Sequence, residues 1–260
     1  MTSNAEILKR ADGAALTYDR IVGTRSGAPG VVFLHGLMSD RTGTKAQVLA
    51  DHCRRQDLSF VRFDMFGHGA SSGRFEDGTI SRWTEDTIAI LDDLTTGPQI
   101  LIGSSMGGWV MLRAALARAD RIKGLIGIAA APDFTEGIRA GFSPAQQTLL
   151  QSKGIVEVAS DHDSRPYPIS RRLIDDGREN AVLAGAIAIN CPVRLVHGQR
   201  DASVPWKTSR RLAEKITSDD VSVLLIKDGD HRLSRPQDLR RLCGVLDDLL
   251  MQLSSASVSA

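Results

Sequence analysis

Two adjacent serines, Ser104 and Ser105, lie between glycines in the stretch GSSMG. A serine can act as a nucleophile on a tight turn between a strand and a helix, with glycines two residues before and two residues after it. Gly103 and Gly107 frame Ser105 in this way, whereas Ser104 would need a glycine in place of Ile102. The run QILIG before the motif predicts the strand, and MGGWVMLRAALAR after it predicts the helix. We therefore predict that Ser105 is a nucleophile for acyl transfer, rather than a helix cap.

A serine nucleophile needs a base that removes its proton, and histidine most often fills that role. On this type of turn, the acid and then the histidine follow the serine along the chain. Three of the six histidines precede Ser105 and do not fit that order. Of the others, His162 lies in a polar segment, His197 ends a predicted strand, and His231 lies in the loop after the last predicted strand. A loop imidazole can reach a serine at the same edge of the sheet, so we predict His231 as the base.

A carboxylate must hold the imidazole in the right tautomer and stabilise its cation. Asp201, in HGQRDASVPW, follows the predicted strand VRLVH by a few residues and precedes His231 in the chain. Asp133 follows another predicted strand and is an alternative. Asp228 and Asp230 lie too close to His231 in the sequence for comfortable geometry, and such residues often form turns. We predict Asp201 as the acid.

The negative charge that develops on a reacting carbonyl needs N–H donors. The backbone N–H of Met106 follows the predicted nucleophile at a helix start, where the helix dipole also favours negative charge. We expect the second donor in the loop HGLMSD, as the backbone N–H of Leu37. In this interpretation His35 shapes the turn, and His68, in FDMFGHGASSG, packs or forms hydrogen bonds without taking part in the reaction.

These residues follow strands in a chain that alternates strands and helices. Such alternation predicts an α/β fold with a mainly parallel sheet and helices on both faces, and with its ligand site at the carboxyl ends of the strands. The predicted strands are AALTYDRIVG, GVVFLHG, LSFVRFD, QILIG, IKGLIGIAA, PVRLVHG and VSVLLIKDG. The predicted helices are TGTKAQVLADHCRR, TISRWTEDTIAILDDL, MGGWVMLRAALAR, TSRRLAEKI and PQDLRRLCGVLDDLLMQL, before a tail, SSASVSA, that is expected to be disordered.

The segment from Pro132 to Asn190 interrupts this alternation. It is polar, with weak helical patterns in SPAQQTLLQSK and PISRRLIDDGRENAVLAGAIA and no clear strand. Long excursions between strands are usually functional or disordered. We predict that residues 132–190 form a small helical cap over the site, with 1–131 and 191–260 as the core. A surface insertion without a role is the alternative.

Composition excludes several classes of protein. The chain has 260 residues, 42% hydrophobic and 24% charged, which suits one globular α/β domain. A net charge of +1 gives no reason to expect nucleic acid as a partner, and the apolar runs are too short for membrane insertion. Three scattered cysteines and the start MTSNAEILKRADG indicate a reducing, cytoplasmic location. No nucleotide-binding motif or spacing of metal ligands is present, so we predict no cofactor and no metal.

The stretches GSSMGG, HGLMSD, HGQRDASVPW and GDH resemble the α/β-hydrolase superfamily from Val31 to the final predicted helix. The stretches FDMFGHGASSGRF, IGSSMGGWVMLRAALAR, NCPVRLVHGQRDASVPWKTS and DHR are similar to the mitochondrial family of palmitoyl-protein thioesterases that also cleave acyl glucuronides. The resemblance implies the α/β-hydrolase fold and a triad of Ser105, Asp201 and His231. No transit peptide is recognisable here, so we expect a bacterial-type, cytoplasmic relative.

Three functions remain open. The first is hydrolysis of carboxylic esters or thioesters of a small-molecule or acylated substrate, through an acyl-enzyme on Ser105. The second is another reaction at the same serine, such as hydrolysis of a carbon–carbon bond or an amide, and the third is non-catalytic ligand binding. The length of the acyl chain is not predictable. The basic run Ser170–Arg172 would suit an anionic leaving group, although a solvated surface is the simpler interpretation.

Overall fold

A computed structural model describes residues 5–159 and 166–258. Its strands are β1 (Glu6–Lys9), β2 (Ala15–Ile21), β3 (Gly30–Leu34), β4 (Phe60–Phe63), β5 (Gln99–Ser104), β6 (Ile122–Ile128), β7 (Ile155–Val158), β8 (Tyr167–Ser170), β9 (Val193–Gly198) and β10 (Val221–Ile226). Its helices are α1 (Thr44–Arg55), α2 (Ile80–Leu94), α3 (Met106–Ala117), α4 (Phe134–Ala140), α5 (Pro144–Lys153), α6 (Arg171–Glu179), α7 (Lys207–Lys215) and α8 (Pro236–Val258).

Eight strands form the central sheet in the order β1-β2-β4-β3-β5-β6-β9-β10. The β1–β2 and β2–β4 pairs are antiparallel, and the other pairs are parallel. The register pairs Ser104 of β5 with Ile128 of β6, and Ile128 with Val196 of β9. Gly198 at the end of β9 pairs with Ile226 at the end of β10. The carboxyl ends of these four strands therefore lie along one edge, as the predicted site requires.

Two apolar clusters cover the two faces of the sheet, because inner strands such as β3 and β5 are buried along their whole length. One cluster packs α2 and α3 against the sheet around Trp83 and Trp109, which are both fully buried. The other packs α1 and α8 on the opposite face, around residues such as Leu49 and Leu246. These layers explain why the strands are continuous apolar runs rather than alternating ones.

The segment 132–190 contains a hairpin that the sequence did not predict. Strands β7 and β8 pair antiparallel with each other and form their own two-stranded sheet. Each has only four residues, and Pro168 lowers the strand signal of the second. The expectation of no strand in this segment was therefore wrong, whereas α4, α5 and α6 lie within it. His162 lies outside the described residues.

The last helix is longer than its sequence pattern indicates. Helix α8 runs to Val258, so the start of the tail that was expected to be disordered continues the helix from Ser254.

In the described parts of the chain, no helix is long and apolar enough to cross a membrane.

Candidate active site

Ser105 lies on a strained turn between β5 and α3. Its backbone has φ 53° and ψ −119°, in a region that residues other than glycine rarely adopt. Backbone hydrogen bonds hold the turn in place. The N–H of Ser105 donates to Ile128 O at 2.9 Å, and the Ser105 carbonyl accepts from the N–H groups of Gly108 and Ala131. The strain is therefore held by the neighbouring strand, and the side chain leaves the sheet at its carboxyl edge.

The glycine frame of the motif has a steric cause. A Cβ on Gly103 would lie 2.4 Å from the carbonyl oxygen of Gly107, across the turn. A Cβ on Gly107 would lie 2.4 Å from the carbonyl oxygen of Leu34 in β3. Both distances are below van der Waals contact, so only glycine lets α3 start this close to the sheet.

His231 reaches Ser105 from the loop that follows β10. Its Nε2 lies 3.1 Å from Ser105 Oγ, and its Nδ1 lies 2.7 Å from Asp201 Oδ2. An ionised Asp201 can only accept, so Nδ1 carries the proton and donates it, and Nε2 accepts from the serine hydroxyl. The structure thus brings together the three residues that the sequence predicted as nucleophile, base and acid.

Asp201 is a buried carboxylate with several donors. Its side chain has no exposed surface, and its Oδ1 accepts from the backbone N–H groups of Ser203 at 2.9 Å and Val204 at 2.8 Å. Burial alone would raise the pKa of Asp201, but hydrogen bonds from His197, His231 and Val204 hold it well below its ordinary value. Asp201 therefore stays ionised wherever His231 has to serve as a base.

The other acids that the sequence offered have different partners. Asp133 accepts from the backbone N–H groups of Val182 and Leu183, both at 2.9 Å, and so joins the start of the segment 132–190 to a later part of the same segment. Asp228 pairs with Arg235. Asp230 accepts from the N–H of Leu233 at 2.9 Å. These contacts serve the backbone and the surface, and none of them involves His231.

Leu37 and Met106, the predicted oxyanion donors, lie close to Ser105. Met106 is the first residue of α3, and both residues line one cavity together with Ser105 and His231. A Cβ on Gly36 would lie only 3.3 Å from the Cβ of Ser105, so the loop before Leu37 closely approaches the serine. That the N–H groups of Leu37 and Met106 form the oxyanion hole stays a prediction.

His35 and His68 are buried beneath this loop. His35 Nε2 accepts from the N–H of Met65 at 3.1 Å, and its Nδ1 donates to Gly36 O at 2.8 Å. Burial lowers the pKa of His35, so the ring stays neutral and supports the loop. His68 Nδ1 donates to Phe66 O at 3.2 Å, and burial lowers the pKa of His68 to about 3. Both histidines have the supporting role that the sequence indicated.

The lowered pKa of His68 predicts an acid-sensitive fold. Between about pH 6.5, the ordinary histidine pKa, and about 3, the unfolded chain binds a proton at His68 that the folded chain excludes. The free energy of unfolding therefore falls as the pH decreases through this range. We expect His68→Phe to reduce the slope of that free energy against pH by about one proton. Urea unfolding of wild type and variant at several pH values measures it, and parallel slopes would contradict the prediction.

Two cavities meet at Ser105. The larger has a volume of about 810 Å³ and a mainly apolar lining, whereas the smaller has a volume of about 330 Å³ and a mainly polar lining. Ser105, His231, Leu37 and Tyr167 line both. The larger cavity is also lined by Phe134, Ile138, Val158, Leu183, Val204 and Pro205. The smaller cavity is also lined by Ser39, Asp40, Thr44, Lys45 and Ser234.

The described residues contain no cluster of three or more histidine, cysteine, aspartate or glutamate side chains that could hold a metal ion. The geometry supports acyl transfer by side chains and backbone alone. That the reaction needs no cofactor stays a prediction.

Comparison with known proteins agrees with this geometry. A family model described as serine aminopeptidase, S33, matches residues 28–166, which is more than half of the chain. The chain belongs to this family of α/β-hydrolases. It is 37% identical to the mitochondrial palmitoyl-protein thioesterase ABHD10 of Bos taurus, over 97% of this chain and 82% of that protein. The Homo sapiens protein of the same name is 36% identical, with the same coverage.

Two solved structures are similar over nearly the whole of this α/β-hydrolase. Alpha/beta hydrolase domain-containing protein 10 from mouse superposes with a TM-score of 0.87 at 37% identity, covering 96% of this chain and 99% of that one. A putative hydrolase from Agrobacterium vitis S4 superposes with a TM-score of 0.90 at 37% identity, covering 95% and 98%. The predicted fold and family resemblance are confirmed. The chain is a serine hydrolase of carboxylic esters or thioesters, and non-catalytic ligand binding is not favoured.

Proposed function

We propose that this hydrolase removes long acyl groups from thioesters of acylated proteins, with Ser105 as nucleophile, His231 as base and Asp201 as the acid that orients it. The observation that carries the proposal is the hydrogen-bonded chain from Asp201 through His231 to Ser105, at the mouth of a large apolar cavity. The thioesterase name of the relatives supports the same substrate class.

The reaction proceeds in two halves. Ser105 Oγ attacks the acyl carbonyl while His231 Nε2 takes its proton, and the N–H groups of Leu37 and Met106 bind the carbonyl oxygen as it becomes negative. The tetrahedral intermediate collapses, the carbon–sulfur bond breaks, and the imidazolium protonates the leaving thiolate. Water then loses a proton to His231 and attacks the acyl-enzyme, which releases the fatty acid and restores the serine hydroxyl. Asp201 remains ionised throughout.

The larger cavity suits the acyl chain. Its apolar side chains, among them Phe134, Ile138 and Leu183, lie beside Ser105 on the side of Met106. Each methylene that leaves water for such a cavity contributes about 0.8 kcal/mol to binding. A long chain therefore gains far more than an acetyl group, and we propose a preference for long acyl groups.

The smaller cavity suits the leaving group. Asp40 and Lys45 bring both signs of charge to its lining, with several hydroxyl groups, as a polar peptide segment would need. Arg171 and Arg172, which the sequence offered for an anionic leaving group, line neither cavity. Arg172 instead lies 3.4 Å from Asp77 in an exposed ion pair. We therefore propose that the basic run is a solvated surface.

We also propose that residues 132–190 act as a cap. Helix α4, Val158 and Leu183 belong to this segment and line the larger cavity, so the segment covers the acyl side of Ser105. Within the segment, Asp133 near its start accepts from the backbone N–H groups of residues 182 and 183 near its end. A surface insertion without a role would have no reason to line the cavity.

The experiment compares wild type with Gly137→Phe across thioesters and p-nitrophenyl esters of two to sixteen carbons, with acyl anilides alongside. Gly137 lines the larger cavity, and a Cβ there meets no atom within 4 Å, so a phenyl ring can be placed at this edge of the cavity without straining the backbone. We expect wild type to prefer long thioesters. In Gly137→Phe, kcat/KM for the longest chains should fall about tenfold or more, and that for acetyl substrates should stay unchanged.

Gly244→Phe is the matched control. Gly244 lies in α8 and also has open space at its Cβ, but it does not line either cavity. Its profile of activity against chain length should equal that of wild type. Faster turnover of anilides than of thioesters would favour amide hydrolysis, and an unchanged profile in Gly137→Phe would contradict the assignment of the acyl cavity.

The proposed location remains the cytoplasm, and the proposed partners still exclude nucleic acid. Cys53, Cys191 and Cys243 are all free thiols, which suits a reducing compartment. The relatives are named as mitochondrial proteins, so fractionation of cells that express the chain has to decide between the two compartments.

A further inference from the structure

His197, which the sequence analysis passed over as a base, lies against the carboxylate of Asp201. Its Nε2 is 3.1 Å from Asp201 Oδ2, the oxygen that also accepts from His231 Nδ1. We propose that His197 is a positioning residue for hydrolysis: by donating to Asp201, it fixes the carboxylate that orients His231. The inference rests on the proposed function, because it assigns a role to a residue that acts through Asp201.

The contacts of His197 determine its tautomer. Its Nε2 also lies 3.0 Å from the carbonyl oxygen of Val204, and its Nδ1 lies 2.7 Å from Ser209 Oγ. Two acceptors around Nε2 require the proton on that nitrogen. Nδ1 must then accept from the hydroxyl of Ser209, which can donate. Every polar atom of the ring is satisfied in this tautomer alone.

The pair is enclosed by protein. The side chains of His197 and Asp201 have no exposed surface, and Ser209 in α7 is also fully buried. Four donors surround the carboxylate: backbone N–H groups of Ser203 and Val204 at Oδ1, and two imidazole N–H groups at Oδ2. An unsolvated charge needs such donors. His197 on β9 and His231 after β10 are the titratable groups that bond to it, whereas α7 contributes the uncharged Ser209.

The donated hydrogen bond has a kinetic consequence. It withdraws part of the negative charge from Asp201 Oδ2 and prevents the carboxylate from rotating away from His231. Without it, a more localised charge would attract the imidazolium of His231 more strongly. His231 would then be held in a less uniform orientation, and activity on the acid side would be lost at a higher pH. A merely structural histidine, one that only joins β9 to α7, would have neither effect.

Two amide variants with side chains of different length distinguish a positioning role of His197 from a merely structural one. In His197→Gln, the terminal amide N–H can take the place of Nε2 and donate to Asp201. In His197→Asn, the amide reaches only the place of Nδ1, so it keeps the contact with Ser209 and loses the donor to Asp201. We expect kcat in the asparagine variant to fall by about ten- to thirtyfold with little change in KM. The acid limb of its kcat/KM profile should move to higher pH, and the glutamine variant should recover most of both.

His52→Leu is the control for loss of a buried histidine. His52 Nε2 lies 2.7 Å from Asp247 Oδ1, between α1 and α8 and outside both cavities at Ser105. This variant should lose stability in urea while its pH profile of activity stays that of wild type. If the asparagine and glutamine variants share one kcat and one pH profile, His197 is structural only and the inference is wrong.

Nitrogen NMR of histidine-labelled wild type tests the inference without any substitution. We expect His197 to carry its proton on Nε2 and to accept at Nδ1. A proton on Nδ1 would rule out donation to Asp201 and would overturn the inference whether or not the variants fold. Asp201→Asn distinguishes failure of the triad from failure of the His197 inference. If Asp201→Asn retains full turnover, the proposed triad is wrong. If Asp201→Asn is inactive while His197→Asn behaves as wild type, the triad stands and only the role of His197 is wrong.

Discussion

Ser105→Ala should lower kcat on long-chain thioesters by on the order of 10⁴–10⁶-fold, because the variant has no atom that can form the acyl-enzyme. The apolar cavity and the predicted backbone donors at Leu37 and Met106 are unchanged by this substitution, so the substrate should still bind. Steady-state turnover and labelling by an alkyl fluorophosphonate measure the effect. The probe should add its mass to wild type and leave Ser105→Ala unmodified.

Ser104→Ala is the matched control, since it makes the same change one residue earlier. Ser104 is the last residue of β5 and is buried, and it lines the smaller cavity next to the reacting serine. Its variant should keep turnover within about threefold of wild type and should still be labelled. If the probe labels Ser105→Ala, or fails to label only Ser104→Ala, then Ser105 is not the nucleophile.

Much of this site was predictable because its residues follow strand ends. Ser105, Asp201 and His231 come after β5, β9 and β10, and parallel strands bring those ends to one edge of the sheet. The glycines around Ser105 were readable for a steric reason, since a Cβ on either would meet backbone of the turn or of β3. The same logic placed the loop of Leu37 beside the serine.

The contacts that the sequence did not predict depend on how single loops turn back. His197 meets Asp201 only because residues 198–204 curve so that the carboxylate faces the end of its own strand, and no periodicity shows that curve. From the sequence, Asp133 was an alternative acid. In the structure its backbone is left-handed, with φ 58°, and its side chain bonds to the backbone of residues 182 and 183. Strands β7 and β8 form a separate two-stranded sheet, so the alternation of strands and helices that predicts the central sheet did not predict them.

Asp201→Asn should lower kcat by about 10³–10⁴-fold while leaving KM nearly unchanged. In the native site, both imidazole N–H groups donate to Oδ2 of the carboxylate. An amide NH₂ at that position cannot accept, so His231 is driven to the other tautomer, with its proton on Nε2. That proton faces Ser105 Oγ and prevents Nε2 from acting as a base. Phosphonate labelling of Ser105 should slow in parallel with kcat, because both reactions need the activated serine.

Asp133→Asn tests the rival acid with the same change of atoms. Asp133 accepts from two backbone N–H groups, and an amide can satisfy only one of them, so this variant should lose about 1–3 kcal/mol of stability. Its kcat on short substrates should stay within about threefold of wild type, because no hydrogen bond joins it to His231. The lowered pKa of Asp201 sharpens the comparison. Since that carboxylate is ionised throughout the assay range, Asp201→Asn removes a charge that acts on His231 at every assay pH. If Asp133→Asn and Asp201→Asn lower kcat equally, then Asp201 does not act through His231.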